Sequence, residues 1–384
     1  MLINHFTFVR LPLLVTLLSL VATQNLYADK KSNPMGYQVH NLVSNIQGKA
    51  GQTDQDLVNA WGIAFNPDGF VWVNDGGTGK STLYDGEGAK QGLVVTIPGP
   101  ASGSKPTGIV YFGGNSDFIV KTNPGDPNEK GAPSRFIFAS ENGSVAAWAP
   151  TVGTQPPPSK TAFEMYHSTT GAIYKGLTLS ADGERYLLYA TDFHNAKIDV
   201  FDGKFQPVSL DAKAFKDSEI PSGFAPFGIQ AINGVIFVTY AKQDENQEDD
   251  VAGPGLGYVD AYDASGHLLL RVAAGGKLNA PWGVAMSTAF GRFSNRLLVG
   301  NFGDGSIIAY NLNHYFHNQG TKLRQTDGSP IKIDGLWGIS FGNGLKKQAT
   351  DALFFAAGPN GEADGLYGKI EVVPGNFKDN EGDD

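Results

Sequence analysis

The chain has 384 residues, with 38 acidic against 29 basic side chains for a formal net charge of -9, 50 glycines and no cysteine. The lack of cysteine excludes disulfides, thiol catalysis, thiolate-held metal and a cysteine lipid anchor, while an oxidising compartment stays open. The acidic balance argues against nucleic acid as a partner, because its phosphates demand a clustered basic face.

At the N-terminus, Arg10 precedes the apolar run "LPLLVTLLSLVA" (11–22), and Leu26 and Ala28 occupy the -3 and -1 positions of a cleavage site. Residues 1–28 read as a secretory signal peptide, which predicts a secreted or periplasmic product. The competing reading is an uncleaved anchor helix, but the run is about a dozen residues where roughly 20 are needed to cross a bilayer. No later segment is long and apolar enough either, so no membrane span is expected after cleavage. Losing Arg10 moves the formal charge from -9 to -10. Residues 29–35 then form a flexible mature N-terminus, 36–375 a single folded unit and 376–384 an acidic tail.

Within the folded unit, "WGIAF" (61–65) recurs as "TGIVYF" (107–112), "KGLTLS" (175–180), "FGIQAI" (227–232), "WGVAMS" (282–287) and "WGISFG" (337–342). The glycines at 62, 108, 176, 228, 283 and 338 are 46, 68, 52, 55 and 55 residues apart, the spacing of propeller blades. Each copy is followed by a second apolar run, such as "FVWVND" (70–75), and a third, such as "STLYDG" (81–86). Alternation, β-branched and aromatic residues, and bounding Gly, Asp and Asn mark all three as strands. The prediction is an all-β, six-bladed β-propeller of four-stranded antiparallel blades, each sheet covering its faces against its neighbours. The ring glycines would permit close backbone approach at the axis.

The last copy ends at "GKIEVVPG" (368–375) without an outer strand, whereas "GYQVHNLVS" (36–44) is extended and lacks a partner of its own. Pairing the two would close the ring and remove an exposed edge. Segments 123–133, 151–160 and 244–255 are too rich in Pro, Gly and charge for strands and read as loop insertions.

The repeats resemble NHL-type blades, and residues 41–88 are similar to the opening of an uncharacterised secreted bacterial propeller family. The resemblance extends over essentially the whole mature chain, including "PTGIVYF" (106–112), "SRFIFASENGSVAAW" (134–148) and "NAPWGVAM" (279–286). Some members of that family end in an exosortase-type anchor. This chain ends in "FKDNEGDD" (377–384) instead, so soluble export is expected. The resemblance implies a fold and a compartment but brings no catalytic residues.

Because strands reverse direction within a blade, loops entering first strands and loops leaving second strands open on one face. That face collects Asn59, Lys105, Lys175, Asn279 and Asp334 from the former. From the latter it collects Asn74, Asp75, Glu141, Asp192, His194, Tyr240, Lys242, Asn301, Asp304, Asn360 and Glu362. Asn74, Asp75, Asp192, Asn301 and Asn360 are candidate ligands for Ca²⁺, which takes several oxygens. The alternative is that they are ordinary turn residues, since Asn and Asp tolerate unusual backbone angles. "NGEADG" (360–365) alternates oxygens as calcium loops do but lacks the downstream acidic ligand. Trp61, Trp282 and Trp337 share one register in adjacent blades, Phe227 extends the arc and Tyr240 adds a further ring. Such an arc either stacks on a sugar or other flat ligand, or packs blade against blade.

Two motifs mislead. "GISFG" (338–342) satisfies G-x-S-x-G, but Ser340 aligns with Ala64 and Ala285 inside a predicted first strand, so it reads as a core position and not as a strand-to-helix elbow. His314 and His317 of "HYFH" lack further ligands at metal spacing and read as an exposed loop or short helical turn. His194 is the histidine expected near the mouth, either as a general base or as a solvated side chain. Two functions remain open. One is an exported binding or scaffold module whose mouth face takes an extracellular glycan, protein or other ligand. The other is a calcium-dependent hydrolase resembling the six-bladed lactonases, for which no lactonase motif is present.

Overall fold

The computed structural model describes residues 35–374 apart from 102, 184 and 314–319. The signal segment, the acidic tail and the two histidines of "HYFH" therefore lie outside the described residues. The chain opens with β1 (Met35–Ser44) and a short β2 (Gln52–Thr53). Blade one follows as β3 (Ala60–Phe65), β4 (Val71–Asp75), β5 (Lys80–Tyr84) and β6 (Lys90–Thr96). Blade two is β7 (Pro106–Tyr111), β10 (Phe136–Ser140), β11 (Ser144–Trp148) and β12 (Phe163–His167), with a small ladder of β8 (Ile119–Val120) and β9 (Ala132–Pro133) at the base of its insertion. Blade three holds β13 (Tyr174–Asp182), β14 (Arg185–Asp192) and β15 (Lys197–Phe201). Blade four is β16 (Phe224–Ile232), β17 (Val235–Lys242), β18 (Tyr258–Tyr262) and β19 (Leu268–Ala274). Blade five is β20 (Pro281–Met286), β21 (Leu297–Asn301), β22 (Ile307–Tyr310) and β23 (Thr321–Lys322), and blade six contains β24 (Leu336–Phe341), β25 (Leu353–Ala357) and β26 (Leu366–Pro374).

The protein is thus a six-bladed propeller of small antiparallel sheets, as the repeat predicts, and β1 pairs antiparallel with β26 from Met35↔Pro374 to Ser44↔Leu366. Two blades depart from four strands. Blade six gains β2, which pairs parallel to the outside of β1. In blade three the fourth strand shrinks to one bridge, Phe201↔Pro207, and the Val208 N–H to Val200 carbonyl bond. The sequence there, "GKFQPVSL" (203–210), supplies a proline where a ladder donor is needed.

The glycine repeat has a common cause in all six blades. Each ladder between first and second strand skips the dipeptide ending in that glycine, as at Ala60/Ile63 and Tyr174/Leu177. The skipped dipeptide bulges toward the axis, where the neighbouring blade arrives. A Cβ on Gly108 would lie 2.5 Å from the Leu177 nitrogen, on Gly176 2.9 Å from the Phe227 carbonyl, on Gly283 2.5 Å from the Trp337 carbonyl and on Gly338 2.7 Å from the Trp61 carbonyl. Gly62 meets the Thr107 carbonyl and Gly228 the Trp282 carbonyl in the same way. The contacts run 62 to 107, 108 to 177, 176 to 227, 228 to 282, 283 to 337 and 338 back to 61, so the ring closes through its glycines. Threonines satisfy amides freed by the bulge: Thr191 Oγ1 accepts from the Gly176 N–H at 2.7 Å and donates to the Phe227 carbonyl of the next blade at 2.7 Å.

Each seam between blades holds its own apolar cluster. Trp72 stacks on Phe136 with centroids 4.0 Å apart between blades one and two. Val71 and Tyr84 meet Phe354 and Tyr367 between blades one and six. Leu298 and Ile307 meet Leu353 and Phe355 between blades five and six, where Tyr37 of β1 also inserts. A Gly228→Ala substitution is expected to lower the melting midpoint by several degrees or more, because backbone rather than a flexible side chain stands in the way. Overpacking of this kind costs about 1–3 kcal/mol or more, and calorimetry reads it directly. An exposed glycine such as Gly92, where an added Cβ would meet nothing within 4 Å, is the control that should not move.

Candidate binding site at the channel mouth

The residue before each ring glycine projects from the bulge toward the axis. In blade order these six residues are Trp61, Thr107, Lys175, Phe227, Trp282 and Trp337. Just upstream, Asn59, Lys105, Ala280 and Gly335 occupy equivalent positions with φ of 48, 46, 44 and 65°. This left-handed step turns the entering loop into the ring.

The structure brings Trp61, Phe227, Trp282 and Trp337 together, and buries them. Trp61 stacks on Trp337 at 3.8 Å, Phe302 stacks on the other face of that cluster at 3.9 Å from Trp337, and Trp282 and Phe227 meet Trp337 edge-on at 5.9 and 5.7 Å. Trp61 is 2% exposed and Trp282 9%. The arc therefore forms a plug across the axis rather than an open stacking face. Gly62, Gly108, Gly283 and Gly338 of the ring, with Ile63, Ile109, Ile229 and Ile339, line a cavity of about 30 Å³, with room for about one water.

One charge sits in this aromatic register. Lys175 is buried, with Nζ 5.3 Å from the Trp61 ring centroid and 5.9 Å from Phe193. It donates to Glu141 of blade two in a very short bond and to Asp249 of the blade-four insertion at 3.2 Å, while Lys105 reaches the other Glu141 oxygen at 3.4 Å. Burial opposes the ammonium charge, but the Glu141 and Asp249 carboxylates outweigh it and hold the lysine above its ordinary range. Around it lie two further acids. Burial pushes Asp250 up to about 7, with Lys175 pulling it down and Asp249 pushing it up. Glu362 is also raised, first by burial, against a 2.6 Å hydrogen bond from Asn59 Nδ2. Asn59 in turn accepts from Trp337 Nε1 at 3.2 Å, tying this collar to the plug.

Four carboxylates and two lysines from blades two, three, four and six thus gather at Lys175, with the Asn59 amide of blade one beside them. Several buried polar atoms here lack partners: Trp61 Nε1, Trp282 Nε1, His194 Nδ1 and Asp250 Oδ2. His194 is half-buried beside the collar, and its carbonyl and that of Phe193 accept from Gln243 Nε2.

The five residues singled out for calcium each make hydrogen bonds within their own blade or across one seam. Asn74 Nδ2 donates to the Thr107 and Gly108 carbonyls across a seam. Asp75 is fully buried beside Thr82, and burial raises its carboxyl well above the usual range. Asp192 accepts from the Ile173 and Asn195 amides and Asn195 Nδ2, Asn301 braces its own turn through Asp304 and Ser306, and Asn360 bonds Asp334 and Asp364. Each serves the turn or seam of its own blade. Among the described residues, no three His, Asp or Glu side chains are grouped so as to hold a metal ion. Tyr240 lies apart from the plug, in the seam between blades three and four, where its hydroxyl meets that of Tyr262 at 2.7 Å. Ser340 is half-buried within β24, paired with Phe354.

Glu141, Lys105, Lys175 and Glu362 were all on the predicted mouth face. Asp249 and Asp250 were not, because composition marks 244–255 as a loop without saying where it folds. The signal for Lys175 was present: it is the charged member of the register that carries the tryptophans.

Fold and mouth together define a six-bladed β-propeller with a plugged axis and a charged collar. Two solved structures share the architecture, a streptogramin B lyase (14% identical, TM-score 0.50, covering 88% of this chain and 98% of that one) and a glucose dehydrogenase (10% identical, TM-score 0.51, covering 86% and 99%). At such identities they carry the fold alone. The chain matches no protein-family model. Two uncharacterized proteins of Acanthamoeba polyphaga mimivirus are much nearer in sequence. One, protein R648, is 32% identical over 356 residues, covering 88% of this chain and 82% of its own; the other, L690, is 31% identical over 356 residues, covering 88% of both. The chain belongs to the family of these mimiviral proteins.

Proposed function

We propose that this protein is an exported binding propeller whose mouth receives a small organic cation, a protonated amine carried on a hydroxylated body. The observation supporting this is the imbalance of the collar: Lys175 lies among Glu141, Asp249, Asp250 and Glu362, Lys105 reaches Glu141 alone, and two of the four acids are held above their ordinary range. Burial is the first cause of both shifts, so a cationic guest would supply the countercharge these acids lack; hydroxyl oxygens would suit the unpartnered indole N–H groups, and the aromatic plug would provide a floor. The apolar run at 11–22 supports export.

The sign of the pH dependence follows. Asp250 is raised from an unfolded value near ~3.9 to about 7. Its contribution to stability is full below the unfolded value and is lost as pH rises through about 7. A bound amine favours the ionised carboxylate, so affinity should rise between about pH 6 and 8 with proton release on binding. Calorimetric titration with ethanolamine, spermidine and a chitosan trimer, against neutral chitin trimer, tests this. Asp250→Asn should weaken amine binding by about tenfold and flatten the pH slope, Glu362 carrying what remains. Equal binding of the neutral trimer, or a slope unchanged in Asp250→Asn, would sink the reading.

A further inference from the structure

We infer a second ligand site, for a hexose-sized organic anion, in the groove where blade five meets the closing blade. It has a volume of about 320 Å³, within the range of small-molecule sites. Its apolar lining comes from Val39 of β1, Ile333 and Leu366, enough to cover one face of a ring-sized body. Lys49 and Lys332 face it from opposite elements, the loop after β1 and the loop entering blade six. Neither has a carboxylate within ion-pair distance among the described residues, so both ammonium groups are available to an anion in the groove.

The acid that lines the groove is already engaged: Asp334 accepts the Asn360 N–H at 2.9 Å through Oδ2. The amides of Asn41 and Gln325 also line the groove; Asn41 Nδ2 donates to the Lys49 carbonyl at 3.4 Å and Gln325 Nε2 to Ser329 Oγ at 3.3 Å, so each retains one amide hydrogen for a guest. Two cations, two amides and an apolar wall suit a carboxylate or phosphate on a sugar-sized frame, and the acidic mouth on the axis does not.

The placement ties this site to ring closure. Asn41 stands at the register shift of β1 against β26, and the Tyr37 N–H of the same strand donates to the Arg324 carbonyl of blade five at 3.1 Å. An anion spanning Lys49 and Lys332 would clamp β1 between two blades. It would therefore raise the melting midpoint and slow amide exchange in β1 more than elsewhere.

The test uses the full chain with glucuronate and glucose 6-phosphate as probes, glucose as the neutral frame and inorganic phosphate as the bare anion. Saturable binding of either sugar anion, with slowed exchange in residues 35–44, is expected. Lys49→Gln/Lys332→Gln should weaken it by about tenfold or more while leaving the unliganded midpoint within about 2 °C, since both side chains are exposed. Preference for glucuronate over glucose 6-phosphate, or the reverse, separates carboxylate from phosphate as the source. Asp250→Asn, which alters the axial collar, should leave this binding unchanged, so the two sites fail independently. No binding at about 10 mM of either sugar anion, binding of glucose as strong as theirs, or undiminished binding in the double glutamine variant would each overturn the inference.

Discussion

A chain lacking residues 35–44 is expected to lose its cooperative unfolding transition, and adding those residues back as a peptide is expected to restore it in part. β1 is the outer partner of β26 along its whole length, and it buries Tyr37, Leu42 and Val43. Tyr37 lies 4.7 Å from Phe290, stacks near Phe293 at 5.8 Å and donates its hydroxyl to the Phe290 carbonyl at 3.0 Å, so it fastens blade six to blade five. Each such side chain contributes about 1.5–3 kcal/mol by burial, and three of them approach the roughly 5–15 kcal/mol that separates folded from unfolded domains. The truncation also exposes the ladder groups of β26, an edge that invites aggregation. Tyr37→Ala alone should cost about 3–5 kcal/mol and is the milder variant that still folds. A truncated chain melting cooperatively within a few degrees of the intact one would mean that the ring is held by the blade seams and not by the closing strand.

The architecture was legible because one physical constraint recurs six times. A backbone bulge that must approach its neighbour tolerates only glycine, and the residue before it must be whatever the axis accepts, so "WG", "TG", "KG" and "FG" mark every blade. The closing strand was legible for a related reason, since residues 36–44 alternate like a strand without a local partner. Burial was not. Trp61 and Trp282 are read as packing between blades or as a stacking arc, because register fixes which way a ring points and says nothing of what meets it there. Asn74, Asp192 and Asn301 were correctly placed at strand ends, yet whether such groups serve their own turns or a shared centre depends on rotamers and on distances across the ring. The collar also draws on Asp249 and Asp250, brought in by a segment whose composition shows only that it is not a strand. In blade three, the loss of a regular fourth strand follows from Pro207, a residue visible in the sequence but outvoted by the repeat.

Lys175 provides the sharper test of the mouth. Lys175→Ala is expected to destabilise the protein by about 3–5 kcal/mol, the range for stripping one partner from a buried pair. It leaves Glu141, 16% exposed, with only the exposed Lys105 as a countercharge, near Asp250 and Glu362, whose burial already disfavours their charged forms. Lys175→Met/Glu141→Gln, which removes both charges while keeping volume, should recover most of that loss. Thermal or urea unfolding of the two variants and of Glu141→Gln closes a double-mutant cycle. The acids carry the second readout: without Lys175 beside it, Asp250 loses the cation that pulls its pKa down, so its titration should move upward from about 7. Carboxyl-resolved NMR titration would follow that movement. A cycle with no coupling, or an Asp250 titration indifferent to Lys175, would show that the lysine merely fills the plug and that the collar does not act as one electrostatic unit.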